Sequence, residues 1–291
     1  MCHLLLMWVG GMLLIGLFTV LARDNDPNPE GDLQKEIHMT ATKTGDLEKK
    51  DAMMPILSIS RTPWTNRNGK VVVHSTISRM KAHPDYFAGK TGTDFIAATR
   101  LVENLLKTEK IDSISVQSKD KPIFVVPVQA IEKRGYNALP QAMAIVMAHR
   151  IPGTYYGEIF QINKVHHTDK TGIGRLEAQA IFQGPVESGA DYVIVDDTVT
   201  QGGTLANLKS YIEILGGCVI AVHTLSAARF STKLQPSIDT IEKLKYTYNH
   251  ELPQVLRYIF GQNIPPETLT EAESRQFIRR PDYFLDRARG L

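Results

Sequence analysis

The chain has 291 residues, 43% hydrophobic and 22% charged, with a formal net charge of +2. This composition excludes a disordered or low-complexity chain, and the near balance of charge excludes a whole-molecule field that would draw nucleic acid or acidic partners. Two cysteines, Cys2 and Cys218, are too few for a disulfide scaffold, and the length suits one large domain or two small ones.

In chain order, the first element is Leu4 to Ala22, 19 residues without a charge. That is the length of a membrane-spanning helix. It exceeds the usual apolar core of a secretory signal, and no basic residue precedes it. Arg23, Lys35, Lys43, Lys49 and Lys50 follow, which orients the bulk of the chain toward the cytoplasm. Two other readings stay open. One is a signal peptide cut after Val20-Leu21-Ala22. The other is translation from Met39, Met53 or Met54, which would leave a cytoplasmic protein without an anchor. Residues 23–54 are polar and without apolar period, as in a flexible linker, and the folded part, 55–291, is expected to begin there.

Val71 to Ser78 is β-branched and apolar and predicts a strand. Gly89-Lys90-Thr91 has the ending of a P-loop, but Pro84 stands where the earlier glycine is required, so that reading fails. Ala98, Leu101, Val102 and Leu105 share one helical face and predict a helix over 92–108. Ile123 to Val128 reads as a buried strand. Asn137 to His149 reads as a helix, with Asn137 as N-cap and Pro140 in its first turn. Tyr155 to Ile162 and Tyr192 to Val195 predict further strands. Leu205, Leu208, Ile212 and Leu215 repeat at helical spacing, and Gly216-Gly217 ends that helix. Val219 to Val222 is another strand, with Cys218 at its start as a small apolar residue. Thr270 and Glu273 have the spacing of a capping box. The arginines after it, Arg275, Arg279, Arg280, Arg287 and Arg289, read as a solvated face, with a nucleic-acid patch as the alternative. Strands without polar alternation, separated by amphipathic helices, argue for an α/β fold with a parallel sheet covered on both faces.

Sites in such folds lie beyond the carboxyl ends of the strands. There the chain reads Asp196-Asp197-Thr198-Val199-Thr200-Gln201-Gly202-Gly203-Thr204. The glycines permit close approach to a ligand and positive φ. Loop N–H groups and the following helix N-terminus form an anion cradle, to which Thr200 and Thr204 add hydroxyls. The two carboxylates can accept hydrogen bonds from vicinal hydroxyls. Phosphate and diol together describe a sugar phosphate. The bland alternative, acids that merely cap a turn, leaves the ordered succession of strand, acid pair, Thr/Gly loop and helix unexplained. No HExxH, GxSxG or CxxC motif occurs.

The run Val193 to Thr204 resembles the phosphoribosyl-diphosphate (PRPP) signature of type I phosphoribosyltransferases. The resemblance covers roughly 92–226. It implies an α/β fold with a parallel sheet flanked by helices, a small hood, and accessory C-terminal helices over 237–291. It implies Asp196 and Asp197 as ribose ligands and Thr198, Thr200, Gln201, Gly202, Gly203 and Thr204 as the 5′-phosphate cradle. Gln201 stands where Thr is usual, and Thr200 where 6-oxopurine enzymes carry an acid. Ile123 to Val128 with the residues after it resembles the first strand and pyrophosphate loop, which makes Gln129, Lys133 and Arg134 pyrophosphate ligands; ordinary surface charge is the alternative for Lys133 and Arg134. Asn163 to Arg175 stands where the family has its mobile lid, with Lys170 and Arg175 as catalytic cations. His166 and His167 there have no third ligand at metal spacing, so no protein metal site is expected.

The implied reaction transfers phosphoribosyl from Mg²⁺-bound PRPP to a nitrogen nucleophile, a nucleobase-type acceptor, with release of pyrophosphate. The implied partners are PRPP, that small-molecule acceptor, the membrane through the N-terminal segment, and a second copy in a homodimer. Nucleic acid is not among them. A PRPP- or nucleotide-sensing protein without turnover, and an exported protein with a decayed site, are the rival classes.

Overall fold

The computed structural model describes residues 60–112, 114, 118, 121–130, 137–163, 172–177 and 179–290. In chain order these form β1 (Val71–Val73), α1 (Ile77–Lys81), α2 (Tyr86–Lys90), α3 (Phe95–Leu105), β2 (Ile123–Pro127), α4 (Ala138–Arg150), β3 (Thr154–Tyr155), β4 (Phe160–Gln161), α5 (Gly172–Glu177), β5 (Phe182–Gln183), β6 (Asp191–Val199), α6 (Gly203–Ile214) and β7 (Cys218–Ala227). Four helices close the chain: α7 (Ile238–Tyr248), α8 (Leu252–Phe260), α9 (Glu271–Arg279) and α10 (Pro281–Arg289). The hydrophobic segment and linker, residues 1–54, lie outside the described residues. Among those that are described, no helix is long and apolar enough to cross a membrane.

Five strands form a parallel sheet in the order β1-β7-β6-β2-β3, and β4 pairs antiparallel with β5 in a separate ribbon. Successive strand residues face opposite sides, and both sides are apolar. Val125, Val193 and Val195 join Leu101 and Val102 of α3 and Met143 of α4 in one core. Val126, Tyr192 and Ile194 join Leu205, Leu208 and Ile212 of α6 in another. Each fully buried side chain of this size contributes about 1.5–3 kcal/mol. A bulge where Tyr192 pairs with Val219 but Val193 with Ala221 puts Ile220 and Ala221 on the same core. A third cluster, including Leu244, Val255, Leu256, Phe277 and Phe284, joins the C-terminal helices to Leu176 of α5.

Several expected boundaries shift for identifiable reasons. The strand expected over 71–78 stops at Val73, because Thr76 caps α1 by accepting the Arg79 N–H. The helix expected over 92–108 is shorter; Asp94 caps α3 by accepting the Ala97 N–H. Tyr155 to Ile162 is not one strand. It divides between β3 in the main sheet and β4 in the ribbon. β6 and β7 run past their expected ends at Val195 and Val222, because each pairs with the other as far as Val199 and Ala227. Asn137 caps α4 as expected, accepting the Leu139 N–H. Gly216 and Gly217 end α6 in a Schellman motif, their N–H groups donating to Glu213 and Ile212 carbonyls at 3.1 and 3.0 Å. The Thr270–Glu273 capping box is formed, and Arg275, Arg279, Arg280, Arg287 and Arg289 are exposed, as the solvated reading expects.

β1 and β7 bury a histidine pair. His74 Nδ1 accepts the Lys107 N–H at 3.0 Å, so the neutral ring carries its proton on Nε2 and donates to His223 Nδ1 at 3.0 Å. Burial, then the positive charges of Lys110, Lys107 and Arg150, lower His74 to about 4. Burial, then His74 and Lys110, lower His223 to about 3. Above the ordinary histidine range both folded and unfolded states are neutral here. Below about pH 6.5 the unfolded chain takes up protons that the fold refuses, so stability falls with pH down to about 4. His74 alone accounts for about 3 kcal/mol of that loss. Chemical denaturation between pH 7 and 4 is expected to show a flatter profile for His74→Gln with His223→Gln than for the parent; parallel profiles would contradict the neutral pair.

Candidate functional site

β2 ends at Pro127, which pairs with Val195. Beyond that point β6 continues alone on this side, carrying Asp196 and Asp197 past its neighbour while β7 still supports it through Asp196↔Thr224 and Thr198↔Ser226. α4, which follows β2, and α6, which follows β6, pack on opposite faces of the sheet. The crevice between β2 and β6 is therefore where the winding reverses, the position at which α/β folds bind ligands.

The Asp197 N–H donates to Asp196 Oδ1 at 2.8 Å, and the Asp197 side chain is 8% exposed. Burial first, and then the charge of Asp197, push the Asp196 carboxyl well above the usual carboxylate range; Lys90 offsets this only in part. Lys90 Nζ donates to Asp197 Oδ2 at 2.5 Å. Burial works to lower the Lys90 pKa, but Asp197, by charge and hydrogen bond, and Asp196 behind it outweigh burial and raise it. Lys90 belongs to the Gly89-Lys90-Thr91-Gly92 run, whose sequence resembles the end of a P-loop and carries no sign of this contact. Gly89 brings α2 close enough for this contact: a Cβ there would stand 3.0 Å from Ala98 Cα and Leu139 Cδ2.

Lys90→Met leaves two adjacent carboxylates without their cation. The expected loss is about 1–2 kcal/mol at neutral pH, less than for a fully buried pair because the Lys90 side chain is 39% exposed. Because Asp197 and Asp196 raise the Lys90 pKa, the stabilisation is fully present below the ordinary lysine range and is lost as pH rises through the raised value. Urea denaturation at two pH values reads it, and parent-like stability at pH 7 would show that the pair does not hold the acids.

After β6 the chain turns at Gly202, with φ +79°. A Cβ there would both strain this left-handed backbone and meet Leu234 Cδ2 at 2.8 Å. The turn is tied from behind. Ser231 Oγ donates to the Thr200 carbonyl and Thr270 Oγ1 to the Gln201 carbonyl. The Gly202 carbonyl accepts the Ala206 N–H at 2.9 Å. With carbonyls engaged this way, the first-turn N–H groups of α6, which have no acceptor within the helix, form the positive end of a dipole beside the acid pair. Thr198 is less available: its hydroxyl shares a 2.8 Å hydrogen bond with Ser226 Oγ.

Arg61 fastens this corner. Its guanidinium donates to Glu273 at 2.6 and 3.0 Å, to Gln179 Oε1 at 2.9 Å and to Asn207 Oδ1 at 2.8 Å, and it lies 4.7 Å from the Phe260 ring centre. Nothing around Arg61 in the sequence signals this role.

The structure brings Asp196, Asp197, Thr200, Gln201, Gly202, Gly203 and Thr204 together along β6, the turn and α6. Gln129 uses its amide nitrogen on the Gly157 and Ile159 carbonyls, at 2.7 and 3.3 Å, and so braces the β3–β4 connection. Lys133, Arg134, His166, His167 and Lys170 lie outside the described residues. Arg175 falls in α5, its side chain outside those described. α5 itself is docked on the C-terminal helices through buried Leu176 and a 2.9 Å hydrogen bond from Tyr283 to Glu177. Among the described residues no group of three or more His, Cys, Asp or Glu side chains is placed to hold a metal.

No protein-family model matches the chain. It is 32% identical over 221 residues to Protein TraN of Escherichia coli, a match covering 76% of this chain and 48% of that protein. It is 31% identical over 152 residues to an uncharacterized protein of Haemophilus influenzae, covering 52% of this chain and 34% of that protein. The chain therefore spans half the length or less of these curated relatives. Among solved structures it is similar to adenine phosphoribosyltransferase from Saccharomyces cerevisiae, at 15% identity over 46% of this chain and 76% of that chain, with a TM-score of 0.33. It is also similar to a hypoxanthine phosphoribosyltransferase from Staphylococcus aureus, at 14% identity over 48% and 68% of the two chains, with a TM-score of 0.32.

Proposed function

We propose that the chain binds PRPP and transfers its phosphoribosyl group to a nitrogen nucleophile of nucleobase type. One observation carries this reading: an acid pair, a left-handed glycine turn and a helix N-terminus stand together at the reversal point of a parallel sheet. Asp196 and Asp197 accept hydrogen bonds from the ribose hydroxyls. The amides of the turn and α6, with Thr200, Gln201 and Thr204, hold the 5′-phosphate. Thr198 steadies the strand, and Lys133 and Arg134 meet the pyrophosphate. The bond from C1 to the pyrophosphate oxygen breaks as the bond from C1 to nitrogen forms, pyrophosphate leaves with the bonding pair, and the nitrogen gives up its proton to solvent. Lys170 and Arg175 stabilise the departing charge and exclude water.

The donor set suits Mg²⁺ delivered on its substrate, since this ion is held by one or two carboxylates and substrate phosphates more than by a protein cage. Bound so, it would neutralise pyrophosphate charge. Asp196 and Asp197 are the carboxylates within reach.

A second reading, a PRPP- or nucleotide-binding regulator without turnover, is favoured by Gln201 standing where Thr is usual and Thr200 where 6-oxopurine enzymes carry an acid. Calorimetry with PRPP·Mg²⁺, run beside pyrophosphate release across a nucleobase panel, separates the two. Binding with release supports the enzyme, and binding without release from any base supports the regulator. Absence of binding overturns both. The proposed setting is a membrane anchor in 1–22 with the domain in the cytoplasm, as a homodimer. Protease added outside intact cells should spare a C-terminal tag.

A further inference from the structure

A polar cavity lies two strands from the acid pair, at the carboxyl end of the edge strand β1. It has a volume of about 200 Å³ and is walled by His74, Ser75, Thr76, Arg79, Lys107 and Lys110, with Val73 at its base. Three of these side chains are cations and none is a carboxylate. Among the described residues no acid forms an ion pair with Arg79, Lys107 or Lys110. The charges that bear on His74 are Lys110, Lys107 and Arg150, all positive. Ser75 Oγ is buried with no hydrogen-bond partner among the described residues, an open position for a group that accepts or donates. The wall is rigid: Lys110 Nζ donates to the Val73 carbonyl, and the Lys107 N–H is held by His74. A neighbouring cavity of about 380 Å³ shares Arg79 and is lined by His83, Asn104 and Leu105, a mixture of polar and apolar groups.

We propose that the β1 cavity is a binding site for a phosphate group, either free phosphate or the phosphate of a small monoester whose organic part occupies the adjoining cavity. Arg79 and Lys107 are exposed and Lys110 is half-buried, so their combined field meets an entering anion with no acid of the lining to neutralise it. Arg79 offers a planar fork, and Lys107 and Lys110 offer point charges. Ser75 and Thr76 supply hydroxyls to the remaining oxygens.

The test is a titration of the isotopically labelled full chain with inorganic phosphate, and separately with a nucleoside 5′-monophosphate, at constant ionic strength. Backbone amide resonances of Ser75, Thr76 and Lys107 report this cavity, and those of Gly202 to Leu205 report the turn before α6. Saturable shifts of the first group are expected. Tighter binding of the monophosphate would identify the monoester as the natural source, and equal affinity would identify free phosphate. Arg79→Gln with Lys107→Gln should weaken binding by about tenfold or more, and Lys107→Arg should restore much of it. Unmoved amides at tens of millimolar phosphate, or parent-like affinity in the double variant, would overturn the proposal. Because the two amide groups are read separately, loss of the PRPP reading and loss of this one are distinguishable.

Discussion

Asn at both Asp196 and Asp197 is expected to weaken PRPP binding by about a hundredfold or more, since charged hydrogen bonds of this kind contribute about 1.5–3 kcal/mol each. An amide oxygen still accepts, but without the charge, and the amide nitrogen turns a donor toward hydroxyls that need an acceptor. The singles should differ in stability. Burial and the charge of Asp197 make the ionised Asp196 carboxylate costly to hold. Asn carries no charge to bury, so Asp196→Asn should leave stability unchanged or slightly raised. Asp197→Asn removes the partner of Lys90 and should cost stability. Calorimetric affinity beside urea denaturation reads both effects. Parent-like PRPP affinity in the double variant would remove the acid pair from the site.

Arg61→Ala should cost about 3–5 kcal/mol, because it strands Glu273 as a buried carboxylate. Both side chains are 2% exposed. The same carboxylate also accepts the Thr270 N–H at 2.8 Å in the capping box, so part of its charge stays solvated by the protein while the countercharge is gone. Arg61→Lys should recover little, since one ammonium cannot reproduce a fork that reaches Glu273, Gln179 and Asn207 together. Arg61→Met with Glu273→Met removes both charges and should recover a large part of the loss. Thermal or urea unfolding measures all three. A loss below 1 kcal/mol in Arg61→Ala would show that the charge pair does not hold the C-terminal helices to the sheet.

What was legible in the sequence is what a short stretch of chain encodes. The apolar faces of α3 and α6, the Asn137 cap, the Gly216-Gly217 ending and the Thr270–Glu273 box each depend on residues within a turn or two of one another. The acid pair and glycine turn were legible for the same reason. Strand ends were less so. Asp196 and Asp197 look like the close of a strand because they are polar, yet β7 continues alongside and keeps the backbone paired to Val199. Tyr155 to Ile162 looks like one strand, yet its two ends join different sheets.

By itself, then, the sequence determined the parallel α/β architecture and the strand–acid–glycine–helix segment, because periodicity and capping act locally. Only the tertiary structure decided which charges meet. Lys90 reaches Asp197 across 107 residues, and Arg61 reaches Glu273 across 212. Those pairings form because burial removes water from a charge, and the folded chain must then supply a partner from wherever packing has brought one.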